Sequence, residues 1–536
     1  AVLAMGSDEF YMTNVLKKYG PGITKDLFPD YPFKEDPIIP VGTKWDFDAL
    51  QIPPTPKSFT EMMTTDNATK QKVEGIGSNN WAVSGIKTAS GFPILANDPH
   101  LDLTLPSIWY QIQLHAPGIN TYGVSLPGAP GVIIGFNQNI AWGVTNVAAD
   151  VLDFYQIKFK DDKHDSYWYN NKWNATKPRY ETIKIKGGKD IIDTVYYTHH
   201  GPIVYFQKPS YSRANNVPTG HALRWIAHDK SNEMKTFYLM NRARNYDDYR
   251  KALPYFTAPA QNFIFASADN DIAITPNGKF PLKWKNQGKF ILDGTDPSND
   301  WQGWIPASQN PTVKNPSRNF VSSANQSSTD PTYPYYINWE FAPYERGKRI
   351  NDRLTKMNNI TVDSMRNLLV DSYSLVAENF LPSILPLVNT EQLNATQKEA
   401  YNITAKWNNN FGANEIAASI FDLWSKKLTE SIWADDFTIA DIPMRYPSRD
   451  RTIELIKKDP KSKWFDNVQT NQVETLTDLV NSSFKFTCDS LEKRFGPIGK
   501  DWHWGNVKGT NVPHLAKIPG FGSKKLLIGG SKSTVN

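Results

Sequence analysis

At residues 75–85 the chain reads G-I-G-S-N-N-W-A-V-S-G. A serine behind a glycine, followed by two asparagines and a tryptophan, suits neither helix nor strand chemistry, so the first question is whether Ser78 is more than a turn residue. Downstream, W-A-V-S-G-I passes through Ser90 and Gly91 to P-I-L-A-N-D-P-H-L, which places His100 22 positions after the serine. Two antiparallel strands joined through Ser90 and Gly91 would run out from Ser78 and back, returning Pro99 and His100 to its side. Spacing alone reads more simply, as a loop histidine with a structural bond.

Working outward, the segments divide by character. Residues 12–19 have helical periodicity, and P-D-Y-P-F and Q-I-P-P-T-P-K then break regular structure. Residues 59–77 are polar and read as a mobile linker. After Ser78 come short β-branched and aromatic runs, I-W-Y-Q-I-Q-L, G-V-I-I-G-F, I-A-W-G-V-T, F-Y-Q-I-K-F and N-F-I-F-A-S, separated by Gly, Pro, Asn and Asp. From about Val362 apolar residues recur at intervals of three and four, as in D-S-M-R-N-L-L-V and A-A-S-I-F-D-L-W-S-K-K-L. The division is therefore 1–56, a linker 57–77, a β-rich region 78–355 and a helix-rich region 356–536. Both termini read as cut from something longer.

Composition removes several classes. With 59 Lys and Arg against 54 Asp and Glu over 536 residues, the net charge of +5 is far short of a nucleic-acid or membrane footprint. No apolar run approaches the roughly 20 residues of a membrane span. The single cysteine, Cys488, excludes an intrachain disulfide and reads as a small buried apolar residue. The first residues carry no signal-peptide pattern. Seven N-x-S/T sequons, Asn67-Ala68-Thr69 and Asn402-Ile403-Thr404 among them, fit an extracytoplasmic protein whose leader lies outside this chain.

Four ordered blocks, G-S-N-N-W, L-A-N-D-P-H-L, I-A-W-G-V-T-N-V-A-A-D-V-L-D and Q-N-F-I-F-A-S-A-D-N-D-I-A, resemble the signatures of the penicillin acylase family. These are N-terminal-nucleophile amidohydrolases, including penicillin, cephalosporin and acyl-homoserine-lactone acylases. The likeness extends from G-S-D-E-F through W-E-F-A-P-Y-E-R-G-K-R-I to W-H-W-G, nearly the whole chain. It implies an α+β fold, an αββα sandwich of stacked antiparallel sheets with a helix-rich extension. It also implies a precursor cut at Gly77-Ser78 into a small and a large chain that stay together as a heterodimer.

The implied chemistry follows from residue types. A serine hydroxyl needs a base. Cutting the Gly77-Ser78 bond frees an α-amine whose ordinary pKa is about 7.7–8.0, so Ser78 would carry its own base, acting through a bridging water. Gly77 suits self-cleavage because it tolerates unusual dihedrals. By resemblance, Asn262 and a backbone N–H of the T-N-V turn, Val147 in preference to Asn146, form the oxyanion hole, and His100 orients the serine. The reaction would hydrolyse a secondary amide of a small-molecule substrate through an acyl-enzyme, with no catalytic cofactor. Trp109 and Phe136 lie near enough in sequence to line an acyl pocket, although both read more simply as core.

The D-V-L-D run resembles the family's calcium loop, with Asp150, the Leu152 carbonyl, Asp153 and, from the small chain, Glu9 as hard oxygen ligands for a structural calcium. Lys283, in K-F-P-L-K where relatives often carry arginine, reads as a solvated surface lysine. Two other classes stay open: a metal hydrolase on N-D-P-H-L-D and His199-His200, whose rings would point to opposite faces of a strand, and a non-catalytic binder, suggested by 17 Trp and 24 Tyr.

Overall fold

The computed structural model describes residues 8–29, 36–63, 77–204, 211–212, 217–218, 220–439 and 442–536. Its centre is the strand that starts at the serine. Ser78–Val83 (β1) is buried along its whole length and pairs antiparallel with Ile94–Pro99 (β2) on one side and Phe320–Ser323 on the other. Because side chains alternate along a strand, Trp81 and Val83 enter one apolar cluster and Ala82 another. The same alternation puts Ser78 and Asn80 on the face of Ala82, between two sheets.

The second sheet orders seven strands: Tyr110–Ala116 (β3), Ile119–Ser125 (β4), Ile134–Asn137 (β5), Ile140–Asn146 (β6), Gln261–Ser267, Ile272–Asn277 and Val313–Lys314. It lies close against the first. Gly143 of β6 faces Asn97 of β2, where a Cβ would stand 2.3 Å from Asn97 Oδ1, so only glycine lets the two sheets approach this far.

Helices close both outer faces. Ile350 and Leu354 of the helix Glu345–Lys356, with Met365 and Leu368 of Val362–Leu369, cover Trp81 and Val83. Phe237, Met240 and Tyr249, from Glu233–Met240 and Tyr246–Ala252, cover Trp142, Phe263 and Phe265. The order helix, sheet, sheet, helix is the αββα sandwich expected. Trp81 is fully buried in it, a position where truncation to alanine costs about 3–5 kcal/mol.

Two boundaries differ from the sequence reading. Position 355 falls inside the helix Glu345–Lys356, which covers the serine's own sheet, because helical periodicity says nothing of which layer a helix joins. The segment 57–77 opens with a helix, Lys57–Met63, whose Phe59 ring lies 4.5 Å from that of Trp284. Residues 64–76, with Asn67, lie outside the described residues.

A further sheet sets Leu152–Gln156 (β7) between His221–Trp225 and Leu292–Asp293. The helix-rich region forms the largest apolar cluster, and the helix Asp8–Leu27 (α1) is part of it: Met12 and Val15 are fully buried among Trp424, Trp433 and Phe484. Sequence before Ser78 is thereby packed into sequence far beyond it. Cys488 is buried in the same cluster, as expected.

Candidate active site

Register brings the serine and the histidine together. Ser78 pairs with Pro99 at the end of the β1–β2 ladder, so His100 is the first residue past the strand. Its backbone N–H donates to Ser78 Oγ at 3.3 Å. The ring does not touch the serine: Nε2 lies 3.0 Å from Asp98 Oδ2 and 3.4 Å from Asn79 Nδ2.

Two residues that the sequence reading passed over make the other contacts. The Ser78 N–H donates to Asn325 Oδ1 at 2.5 Å. Arg346 donates to the Ser78 carbonyl at 3.0 Å, to Asn79 Oδ1 at 2.7 Å and to Asn325 Oδ1 at 3.1 Å. The guanidinium is buried, and burial pulls it down to about 10 against the upward pull of Glu345 and Asp98. It therefore remains a cation at neutral pH, set against the serine's backbone. Arg346 stands in the quoted W-E-F-A-P-Y-E-R-G block. Asn325 was hidden in an N-Q-S sequon; at 2% exposure it is beyond the reach of glycosylation.

Gly77 is needed for space. A Cβ there would lie 2.1 Å from Arg346 Nη2 and 2.5 Å from Cζ. Its φ is outside the left-handed region, so the constraint is the close approach of the guanidinium, which would have to shift to admit a side chain here.

The oxyanion candidates lie where β6 and Gln261–Ser267 pair. Asn262 is fully buried and its amide nitrogen is spent on Thr145 Oγ1 at 3.2 Å, Ser323 Oγ at 3.1 Å and the Asn146 carbonyl at 3.0 Å. It buttresses the site from within the sheet. The Val147 N–H donates to Ala260 O at 3.1 Å and is likewise engaged. Asn146 is the next position along, opposite Gln261, and antiparallel alternation turns its N–H and C=O away from that strand. The C=O accepts from Asn325 Nδ2 at 2.8 Å, so the Asn146 backbone faces the group that holds the serine nitrogen. Ala148 follows at φ 57, its N–H taken by Asn146 Oδ1 at 3.0 Å.

Three of the expected calcium ligands, Glu9, Asp150 and Asp153, do converge, around the Lys283 ammonium. Lys283 is buried, not solvated, and its Nζ stands 3.0 Å from Asp150 Oδ1 and 2.7 Å from Asp153 Oδ2. Burial works to lower its pKa, but the two aspartates outweigh it and hold the ammonium above its ordinary value. The Trp301 indole N–H also donates to Asp153 Oδ2. Glu9, buried on α1, accepts the Phe154 N–H at 2.8 Å, and Leu152 is buried at the start of β7. Burial, then Asp153 and Asp150, push the Glu9 carboxyl well above the usual carboxylate range, and burial foremost pushes Asp150 up to about 7.

The outer oxygens, Asp150 Oδ2 and Asp153 Oδ1, have no partner among the described residues and face Gly288, whose Cβ would meet them at 2.4 and 2.3 Å. The donor set is of the kind calcium takes, with the Lys283 ammonium already bridging Asp150 Oδ1 and Asp153 Oδ2. A lone lysine is so rarely buried that nothing in K-F-P-L-K signalled this.

The remaining candidates separate from the serine. His199 and His200 lie in a bend and not a strand, so their rings share one side, 3.8 Å apart, and both meet Asp300. Trp109 lies partly buried at the edge of the cluster between the seven-stranded sheet and its helices. Phe136 is not core; half exposed, it packs on Tyr122 at 5.6 Å. No helix among the described residues is long and apolar enough to cross a membrane.

Comparison with known proteins agrees with this fold. The chain is 25% identical over 457 residues to the acyl-homoserine lactone acylase QuiP of Pseudomonas aeruginosa, covering 80% of this chain and 54% of that one. It is 26% identical over 373 residues to the penicillin acylase 2 proenzyme of Pseudomonas sp. SE83, covering 67% and 46%. The chain thus spans about half the length of these curated relatives. In three dimensions it resembles the thermostable penicillin G acylase from Alcaligenes faecalis, with a TM-score of 0.60 at 19% identity, covering 84% of this chain and 86% of that one. The penicillin amidase model matches residues 3–536, and with Ser78 at the head of a buried strand in an αββα sandwich, the chain belongs to the penicillin amidase family.

Proposed function

We propose that this protein is an amidohydrolase that cleaves a secondary amide through an acyl-enzyme on Ser78, after its own Gly77–Ser78 bond has been cut. One observation carries the reading: every polar atom of Ser78 is already held, N by Asn325, Oγ by the His100 N–H and O by Arg346. Once freed, the α-amine would keep the Asn325 contact, and the neighbouring guanidinium would favour its neutral form. The amine, through a bridging water, takes the Oγ proton as Oγ attacks the substrate carbonyl, and returns it to the leaving amine.

The developing oxyanion is met by the Asn146 N–H and the second Asn325 Nδ2 hydrogen. Val147 and Asn262 hold the turn in shape, and His100 orients Ser78 through its backbone. Lys283 takes the structural part expected of calcium, bridging Asp150 and Asp153 of the large fragment, while Glu9 of the small one is tied to the same strand through the Phe154 N–H. The two fragments form a heterodimer, extracytoplasmic in keeping with the sequons.

Leu101, Leu103 and Leu105 follow His100 directly and are exposed. They suit an apolar acyl group, which gains by leaving water. Denaturing mass analysis tests the reading: two fragments, the larger beginning at Ser78, are expected, and Ser78→Ala should remain one chain without amidase activity. A wild-type chain that hydrolyses amides uncut would overturn it, because an acylated Ser78 nitrogen is no base. An uncut chain that binds ligands unchanged in Ser78→Ala would favour the non-catalytic binder.

A further inference from the structure

The adjacent histidines stand apart from the chemistry of Ser78. His200 Nε2 lies 2.9 Å from Asp300 Oδ1 and His199 Nε2 3.5 Å from Asp300 Oδ2. The three ligand atoms all fall within 4.8 Å of one another. We propose that His199, His200 and Asp300 form a binding site for a divalent transition metal of the zinc class, independent of the amidase centre. The two imidazole nitrogens and one carboxylate oxygen make a mixed donor set that suits zinc, cobalt or nickel and not the all-oxygen preference of calcium or magnesium. Three protein ligands leave a fourth position for water.

The surroundings are built for ligation. His199 Nδ1 is 3.1 Å from the Tyr167 hydroxyl, which also accepts the His199 backbone N–H at 3.2 Å, so the ring is oriented by a partner on the nitrogen that would not bind the ion. The His200 ring stacks on Tyr155 at 3.9 Å and 20°, and its side chain is 3% exposed. Its Nδ1 is buried with no partner among the described residues, so the ring is oriented by packing. Tyr169 donates to Asp300 Oδ2 at 2.6 Å, holding the carboxylate in place. The His199 side chain is 34% exposed and that of Asp300 23%, which gives an ion a way in.

The site would tie two remote segments. The bend with both histidines follows the strand Ile191–Tyr197, and Asp300 precedes Trp301, whose indole bonds Asp153. An ion bound here would fix the Trp301 loop against β7, on which Tyr155 stands. Its effect should therefore appear in stability and not in a change of chemistry.

The test uses untagged, chelator-stripped protein titrated with cobalt(II), followed by visible d–d absorption, and with zinc(II), followed by calorimetry. One equivalent should bind, with nitrogen-ligand bands in the cobalt spectrum, and zinc should displace the cobalt while millimolar calcium does not. His199→Ala, at a partly exposed position, should lose the site while keeping its circular dichroism. Tyr167→Phe should weaken binding by about 10–100-fold, the usual effect of removing a partner that orients a ligand. Absence of a stoichiometric site in the wild type overturns the proposal, as does binding unchanged in both His199→Ala and Asp300→Asn. Zinc should also slow diethyl pyrocarbonate modification of His199, a readout that needs no variant.

Discussion

Replacing Lys283 by methionine removes the ammonium between Asp150 and Asp153 and little else, since the two side chains are of similar length. In the wild type Nζ is 3.0 Å from one carboxylate and 2.7 Å from the other, with all three side chains at most 8% exposed. Breaking a buried ion pair by removing one partner costs about 3–5 kcal/mol, because the other charge is left uncompensated. Unfolding entropy near ~2.1 cal/mol/K per residue gives roughly 1.1 kcal/mol/K for a chain of this length. The melting temperature should therefore fall by about 3–5 °C.

Calcium makes the experiment decisive. The variant leaves Asp150, Asp153 and Glu9 around a hole of the right chemistry, and a weak site of Kd about 10⁻⁴–10⁻³ M is expected. At 10 mM calcium, some 10–100 times that Kd, about 1.4–2.7 kcal/mol should return, a recovery of roughly 1–3 °C. The wild type, carrying its own cation, should respond to neither calcium nor a calcium-selective chelator. Thermal unfolding followed by tryptophan fluorescence reads all four combinations. A wild type destabilised by that chelator, or a variant as stable as its parent, would refute the reasoning.

Four further outcomes are expected. Gly77→Ala should block or greatly slow appearance of the two fragments in denaturing mass analysis, because the added carbon would collide with Arg346; normal processing would remove the steric account. Asn325→Ala should lower kcat by about 10²–10³-fold in the processed enzyme, the usual loss for one oxyanion donor. Asn262→Ala should mainly cost stability, about 1–3 kcal/mol, through the buried groups it leaves short of a partner. The opposite ranking in kcat would restore Asn262 to the oxyanion hole. Stability should also fall as pH rises from about 4 to 7. The Asp150 carboxyl is raised from 3.8 to about 7, so the folded state holds a proton that the unfolded chain has released, and that contribution is complete below 4 and lost through 7. Asp150→Asn should reduce this slope in urea titrations across the range, with Glu9 and Glu340, also raised by burial, carrying the rest.

The amino-acid order by itself determined what is local. Alternation and turn residues specify the β1–β2 hairpin, and a strand's period of two then fixes that Pro99 returns to Ser78 and that His100 follows it. Apolar spacing likewise marks α1 and the helix Ile416–Phe437. The tertiary structure decided what is charged, buried and distant. Asn325 lies 247 positions from Ser78 and Arg346 268, so no spacing rule links them; only the pairing of Phe320–Ser323 with β1 and the helix packed above it do. Lys283 read as solvent-exposed because a lysine enters a core only where partners await it, and Asp150 and Asp153 arrive from a distant segment of the chain. His199 and His200 read as pointing apart because a strand was assumed, where a bend turns both toward Asp300. Local periodicity could name the elements, but it could not say which polar side chains their packing would force together, since that depends on desolvation shared between distant segments.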